Sequence, residues 1–396
     1  MKSRDDSFIT LAYGRTPLKM RAPDRLVQIL KANPVPGVPD FAAELRRALA
    51  SPIDSPRIKD MVSPDTRVAI VIGDRTRIIP RREMILSVLE ELSGVPDRNI
   101  VLVCANGNHP PSPIESLGLG DDLAKRFRFV SHDSNASGET VSIGKTSAGI
   151  EVKINKVVAE TDLKILVGQI KPHYFTGYSG GAKSILPGVS SFYTIGTNHL
   201  MKSMPGARLG AVEGNPVRKD MEEAARLAGK SFILNIVMNQ DKEVVKAVAG
   251  DVVSAHREGV QWAKKVCEVQ SGSAEIVVVS EGLPLSMNLF QAAKLVSPAG
   301  RVLKPGGVII LAAECHEGVG PLIAVNEIIY KMGLCPALPA EHRILLVSAL
   351  QKERVAETFC EYSPGIEEAL KTAVAHAGPS AGTIVIPKGG LIVPVV

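Results

Sequence analysis

Seven short runs dominated by Val, Ile and Leu recur along this chain: RVAIVIG (67–73), NIVLVCA (99–105), DLKILVG (162–168), FILNIVM (232–238), EIVVVSE (275–281), GVIILAAE (307–314) and RILLVSA (343–349). Most are apolar throughout and do not alternate with polar residues. Runs of that kind and length fit strands buried on both faces of a parallel sheet. Between them lie stretches with helical patterning, at 81–93, 217–228, 253–267, 288–297, 321–331 and 365–376. Strand and helix in alternation predict doubly wound α/β domains. The chain has 396 residues, enough for two or three domains. Aromatic residues make up only 4%, with Trp262 the single tryptophan, so the cores must be aliphatic. The polar stretch CEVQSGSAE (267–275) carries no periodicity and separates two alternating blocks. The expectation is therefore two Rossmann-like α/β domains, 1–268 and 273–396, with a cleft between them.

The bulk properties exclude several classes. A formal charge of +5 over this length is too small to argue for nucleic acid, though it favours small anions. Five scattered cysteines form no C-x-x-C pair, which argues against a disulfide framework or a thiolate zinc site and for a reducing, cytoplasmic setting. The opening MKSRDDSFIT lacks the apolar core of a signal peptide, and no apolar run reaches membrane length.

In open α/β sheets ligands bind beyond the C-terminal ends of the strands. Several strands here run into polar clusters: Asp74-Arg75-Thr76-Arg77, Asn106-Gly107-Asn108-His109-Pro110, Lys171-Pro172-His173 and Cys315-His316-Glu317. Gln291 and Lys294 follow strand 275–281 at helical spacing, so they share a face. GYSGGAKS (177–184) is nearly the phosphate-binding pattern G-x-x-x-x-G-K-[ST]. Ala182 replaces its second glycine, however, and the strand ends near Gly168, well before Gly177. A nucleoside-triphosphate loop is thus disfavoured. Ser179, Gly180 and Gly181 could still present amides to one phosphate as an anion nest, or simply form a Gly-rich turn.

Among eight histidines, His109 and His173 stand out, each beside a proline after an expected strand. His132 reads as a turn residue, and His256, His342 and His376 read as structural. Two imidazoles facing one cleft could act as acid and base on opposite faces of a substrate, as racemisation requires. Arg77, with Arg75, offers a planar fork for a carboxylate.

Six motifs join these residues: GDRTR (73–77), NGNHP (106–110), PHYFTGYSGGAKSILPG (172–188), TNH (197–199), QAAK (291–294) and KPGGVIILAAEC (304–315). Together they resemble the nickel-pincer nucleotide-dependent lactate racemase family, from about residue 8 to about residue 320. The resemblance implies a 2-hydroxy acid racemase or epimerase working by reversible hydride transfer through a 2-keto acid. Its implied cofactor is the Ni(II) pyridinium-3,5-bisthiocarboxylic acid mononucleotide, bound covalently to Lys183 and loaded by dedicated biosynthetic proteins. His199 would ligate nickel, and planar four-coordination suits Ni(II). His109 and His173 would be the catalytic pair. Asp74, Thr76, Ser179, Gly180 and Gly181 would hold cofactor, and Arg77, Gln291, Lys294 and Arg75 would hold substrate. The family pattern carries His where Arg75 stands, and the lactate enzymes carry a C-terminal-domain Trp that this chain lacks. Substrates therefore range over lactate, malate, an aromatic 2-hydroxy acid or a sugar acid. Two other readings compete: an NAD-dependent 2-hydroxy acid dehydrogenase, for which no G-x-G-x-x-G turn is found, and a non-catalytic nickel- or anion-binding relative.

Overall fold

The computed structural model describes residues 8–136 and 138–396. The chain divides into two compact units. One comprises Pro34–Ala207 and Ala211–Lys265; the other comprises the segment ending at Asn33, Arg208–Gly210 and Val266–Val396.

The sheet of the first unit has the order Val244–Asp251, Ser231–Met238, Leu163–Gln169, Val68–Gly73, Ile100–Ala105, Arg128–Ser131. Its strands are parallel except Val244–Asp251, which runs antiparallel to Ser231–Met238. Ile70 sits between Leu102 and Ile165 in register. Successive side chains of one strand point to opposite faces. Val68, Ile70 and Ile72 accordingly pack with Leu45, Met84, Ile85 and Val88 of helices Phe41–Ala50 and Arg81–Glu91. Ala69 and Val71 pack on the other face with Val217, Met221 and Ala224 of helix Pro216–Leu227. Helices on both faces are why the strands read as continuous apolar runs. Helix starts are fixed locally: Asp40 accepts from the Ala43 amide, and Asn215 caps a helix that opens on Pro216.

The first strand, Val68–Gly73, lies near the middle of this sheet. The chain winds from it to one edge, then returns on its other side as Leu163–Gln169. The order thus reverses between these two strands, the position where doubly wound sheets open a crevice for ligands.

The second unit has the order Glu361–Ser363, Arg343–Val347, Leu303–Ala312, Ala274–Gly282, Thr383–Ile386, Leu26–Ile29, all parallel. Helix Ile366–Ala377 covers one face through Ile366, Ala369 and Ala373. This corrects the expected 1–268 domain at its beginning. Leu26–Ile29 is an edge strand of the second sheet, and Leu11 and Met20 are buried in that unit's core. The strand is four residues long and half exposed, so it leaves no apolar run to read. The expected helix over 288–297 is broken into three turns, Leu289–Ala292, Ala293–Leu295 and Val296–Gly300. Among the described residues no helix is long and apolar enough to cross a membrane.

Deleting residues 1–33 is expected to unmask the edge of Thr383–Ile386 and to empty part of that core. Hydrogen exchange should show lost protection in Thr383–Ile386 and retained protection in Leu163–Gln169. Equal protection in the truncated and full chains would place the segment outside the second sheet.

Candidate active site

Two groups of polar side chains emerge where the first unit's strand order reverses. Strand Val68–Gly73 ends in a turn closed by the Arg77 amide on the Asp74 carbonyl (3.0 Å). Asp74 is 3% exposed. Its Oδ1 accepts from the Thr76 amide at 2.7 Å and from the Thr76 hydroxyl. Its Oδ2 lies 2.9 Å from His109 Nδ1. Burial opposes ionisation of Asp74, but it is outweighed by the His109 contact, by the Arg77 charge and by Thr76, so the carboxyl stays well below the usual carboxylate range. An ionised Asp74 can only accept, so His109 Nδ1 carries the proton and Nε2 is left to exchange one. Arg81, also buried, donates to the carbonyls of Leu117 (2.7 Å), Asp74 (2.9 Å) and Arg77. Arg75 and Arg77 themselves are exposed on this turn.

His109 arrives on the turn after Ile100–Ala105, its amide bonded to the Asn106 carbonyl. Asn106 anchors that turn. It donates to the His132 carbonyl (2.7 Å) and the Ser131 hydroxyl (3.0 Å), and accepts from Ser112 (2.9 Å). His132, expected in a turn, is fully buried, with Nε2 on the Ser190 carbonyl at 2.8 Å.

The second group is built on a short antiparallel pairing of Pro172–His173 with Gly177–Tyr178. Gly177 has φ +74°, and a Cβ there would stand 1.9 Å from the Ala211 carbonyl oxygen, so only glycine fits. Lys183 Nζ lies 3.1 Å from His173 Nε2 and 3.4 Å from Thr176 Oγ1. The buried Phe175 ring gathers three groups: the His173 ring at 4.8 Å, the His199 ring at 5.0 Å and Lys183 Nζ at 5.7 Å. His199 rides on helix Phe192–Leu200, capped by Ser191, with its neighbour Asn198 held by Asp220 at 2.7 Å. The two groups are stitched together: the Gly107 amide donates to the Gly188 carbonyl (2.9 Å), and the Gly188 amide donates to the Lys183 carbonyl (3.0 Å).

Residues 13–210 match the model of the lactate racemase N-terminal domain, and 269–333 match that of the lactate racemase C-terminal domain. The lactate racemase of Thermoanaerobacterium thermosaccharolyticum is 32% identical, over 96% of this chain and 97% of its own length. That of Lactiplantibacillus plantarum is also 32% identical, over 88% of this chain and 90% of its own. The chain belongs to the lactate racemase family. It is accordingly an isomerase of the racemase class. The solved apoprotein of the Thermoanaerobacterium enzyme superposes with a TM-score of 0.89 at 31% identity, covering 98% of this chain and 100% of that one. A Thermotoga maritima protein, 18% identical with a TM-score of 0.69, shares the fold.

In this lactate racemase family member Asp74, Thr76, Arg77, Arg75 and His109 form one cluster, and His173, Lys183 and His199 the other. The expected anion nest needs correction. The Ser179 amide donates to the Lys171 carbonyl (2.8 Å) and the Gly181 amide to Asn235 Oδ1 (2.7 Å). Ser179 Oγ donates to the Gln169 carbonyl (2.7 Å) and accepts from the Lys171 amide (3.0 Å). A Cβ on Gly180 would fall 2.6 Å from Asn235 Oδ1. The Ser179 and Gly181 amides and the Ser179 hydroxyl are thus engaged within the protein itself. Gln291 and Lys294 lie in the second unit, bonded to each other at 2.6 Å on a turn capped by Asn288.

Sequence reasoning missed Arg218 and Asn235, while His256, read as structural, is a brace of the loop. Arg218 is 1% exposed, and its guanidinium donates to the carbonyls of Thr176, Gly180 and Tyr178. Burial pulls it down to about 10, Glu222 works against that and Arg257 with it, so the guanidinium keeps its charge at neutral pH. His256 Nε2 donates to the Ser179 carbonyl at 2.8 Å from beneath.

A carboxyl whose folded value is lowered stabilises the protein above its unfolded value, about pH 4, and loses that contribution as pH falls through the lowered one. Asp74→Asn should therefore be less stable than the parent at pH 7, with the gap narrowing as the pH drops below about 4. Urea midpoints at several pH values check this; a gap independent of pH would contradict the ionised Asp74.

Proposed function

We propose that this protein interconverts the stereoisomers of a 2-hydroxy carboxylate, lactate foremost, with His109 and His173 as proton-transfer groups and Lys183 as the anchor of a nickel-pincer nucleotide. The observation that carries this reading is the meeting of the Lys183 amine, the His173 imidazole and the His199 imidazole around Phe175.

The chemistry explains why such a site needs more than bases. The α-proton of a 2-hydroxy carboxylate is a poor acid, because the adjacent carboxylate resists a second negative charge. Removing the α-hydrogen with its electron pair avoids the dianion and leaves a planar 2-keto acid. When bound, the pincer nucleotide supplies the acceptor that takes that hydride and returns it. The protein's part is orientation and proton transfer. His109, its Nδ1 held by Asp74, offers Nε2 to the substrate hydroxyl. His173 offers a second imidazole, as inversion through a planar intermediate demands. Arg75 and Arg77, exposed beside Asp74, are suited to a carboxylate by their planar forks. In the second unit, the Gln291 amide and Lys294 ammonium supply further polar groups for the substrate.

The donor set fits the cofactor in two respects. A lysine amine stands ready for a covalent bond. Among the described residues no three His, Cys, Asp or Glu side chains gather as metal ligands, so a nickel ion at His199 would need donors brought by the cofactor itself. In one respect it does not fit as expected: the Ser179 and Gly181 amides are already engaged, so the nucleotide phosphate would rely on other donors.

Protein co-produced with the cofactor-making proteins should convert enantiopure lactate to the racemate, read by chiral chromatography. It should also show near-stoichiometric nickel and a mass increment on the Lys183 peptide. His109→Ala and His173→Ala should each slow racemisation by about 10²–10⁴-fold. An unmodified Lys183 in a preparation that loads a known family member would overturn the cofactor reading. Full rates in either histidine variant would overturn the assignment of the bases.

A further inference from the structure

His132 is bonded to the frame of both polar clusters. Its backbone serves the first. The His132 carbonyl accepts from Asn106, which anchors the turn carrying His109 (2.7 Å), and the His132 amide donates to the Cys104 carbonyl below that turn (3.1 Å). Its ring serves the second. Nε2 lies 2.8 Å from the carbonyl of Ser190, in the stretch that joins Lys183 to helix Phe192–Leu200. Two residues further on, the Ser134 carbonyl accepts the Phe192 amide (2.9 Å), at the start of the helix that carries His199.

A third residue fixes the direction of these ring contacts. Asn155 Oδ1 accepts from the Val157 amide at 3.0 Å, capping the turn Lys156–Ala159, so Nδ2 is the atom turned to His132 Nδ1 (3.4 Å). An amide nitrogen only donates, so Nδ1 accepts, and a neutral ring then carries its proton on Nε2, aimed at Ser190. The ring is fully buried. Burial holds it below its ordinary range, against the Ser190 carbonyl and the acidic Asp133 and Glu139, so it is neutral at pH 7. Ser190 is fully buried too, so its carbonyl has no water to turn to if the ring's donor is removed.

We propose that His132 is a positioning residue of the reaction, its ring bridging the turn of His109 to the segment between Lys183 and His199. It fixes how far the His109 imidazole stands from the other cluster. It shares that task with the bond from the Gly107 amide to the Gly188 carbonyl (2.9 Å), which should loosen when the ring's donor is lost. The role in catalysis rests on the proposed function; the bridge itself does not. Reacting groups must be held close to their productive geometry, and a misplacement of about 1 Å from a distant substitution can cost about 10²-fold in rate.

Two substitutions separate bridging from space-filling. His132→Gln keeps a side-chain N–H donor for Ser190, and His132→Leu fills similar space with none. In full-length protein made without the cofactor-making proteins, His132→Leu should exchange the Gly107 amide and the amides of helix Phe192–Leu200 about tenfold faster, with parental rates in His132→Gln. In co-produced protein, normalised to nickel, His132→Leu should lower kcat for lactate racemisation about 10–10²-fold with KM within about twofold, and His132→Gln should restore kcat. Parental kcat in folded His132→Leu, or His132→Gln as impaired as His132→Leu, overturns the positioning role. Parental exchange of Gly107 in His132→Leu overturns the bridge. Should His132→Leu fail to fold, Asn155→Asp decides. It still caps Val157 but turns an acceptor to His132 Nδ1, which should take up a proton at neutral pH, seen by nitrogen NMR of the imidazoles, where the parent shows Nε2–H alone. Identical His132 signals in parent and Asn155→Asp overturn the proposal. A parent protein that takes up no pincer and racemises nothing sinks the functional reading and leaves exchange and NMR to decide the bridge.

Discussion

One buried guanidinium holds the site together. Arg218 reaches from helix Pro216–Leu227 into the loop after Tyr178 and spends its donors on three carbonyls, those of Thr176, Tyr178 and Gly180. Loop carbonyls buried beneath a sheet's end have no strand to pair with, and leaving them unpaired costs about 1–3 kcal/mol each. Arg218 answers all three at once. Its charge is balanced in turn by the buried Glu222, which is held by Arg257 at 2.7 Å. Because Thr176 and Gly180 bracket the path from His173 to Lys183, the same clamp sets where amine and imidazole meet. A residue outside the proposed chemistry therefore fixes the two side chains proposed to carry it.

The other cluster solves a different problem with the opposite charge. Asp74 is a buried carboxylate, and burial alone would neutralise it. It stays ionised because His109, Arg77 and Thr76 surround it. The consequence passes to His109, whose Nδ1 proton is committed and whose Nε2 is defined as the working atom. His173 is oriented instead by a backbone amide, so its working atom is the same Nε2 reached by another route. One imidazole is thus braced by an anion, the other by a neutral donor.

How much of this was legible depended on what each residue faces. The seven central strands could be read because burial on both faces leaves a compositional mark that needs no context. Leu26–Ile29 and Val244–Asp251 escaped, the first for being short and half exposed, the second for containing Lys246 and Gly250 within its run. His109, His173, Lys183 and His199 could be picked out because they sit in motifs whose spacing is specific. Arg218 could not, since NPVRKD reads as an ordinary helix start, and nothing local tells that a loop will fold over it. Ser179–Gly181 shows the limit most plainly. Glycines that let backbone approach a phosphate and glycines that let backbone approach Asn235 are the same letters.

The inward use of those amides changes the electrostatic logic of the site. In a phosphate-binding loop, backbone donors hold the anion and the lysine adds its charge to theirs. Here the Ser179 and Gly181 amides are engaged by the protein itself, and the lysine meets an imidazole at 3.1 Å. Such a loop keeps the glycine-lysine look of an anion cradle while turning two of its amides toward its own protein. What remains is a braced loop that fixes where the Lys183 and His173 side chains meet, with Arg218 holding the carbonyls between them.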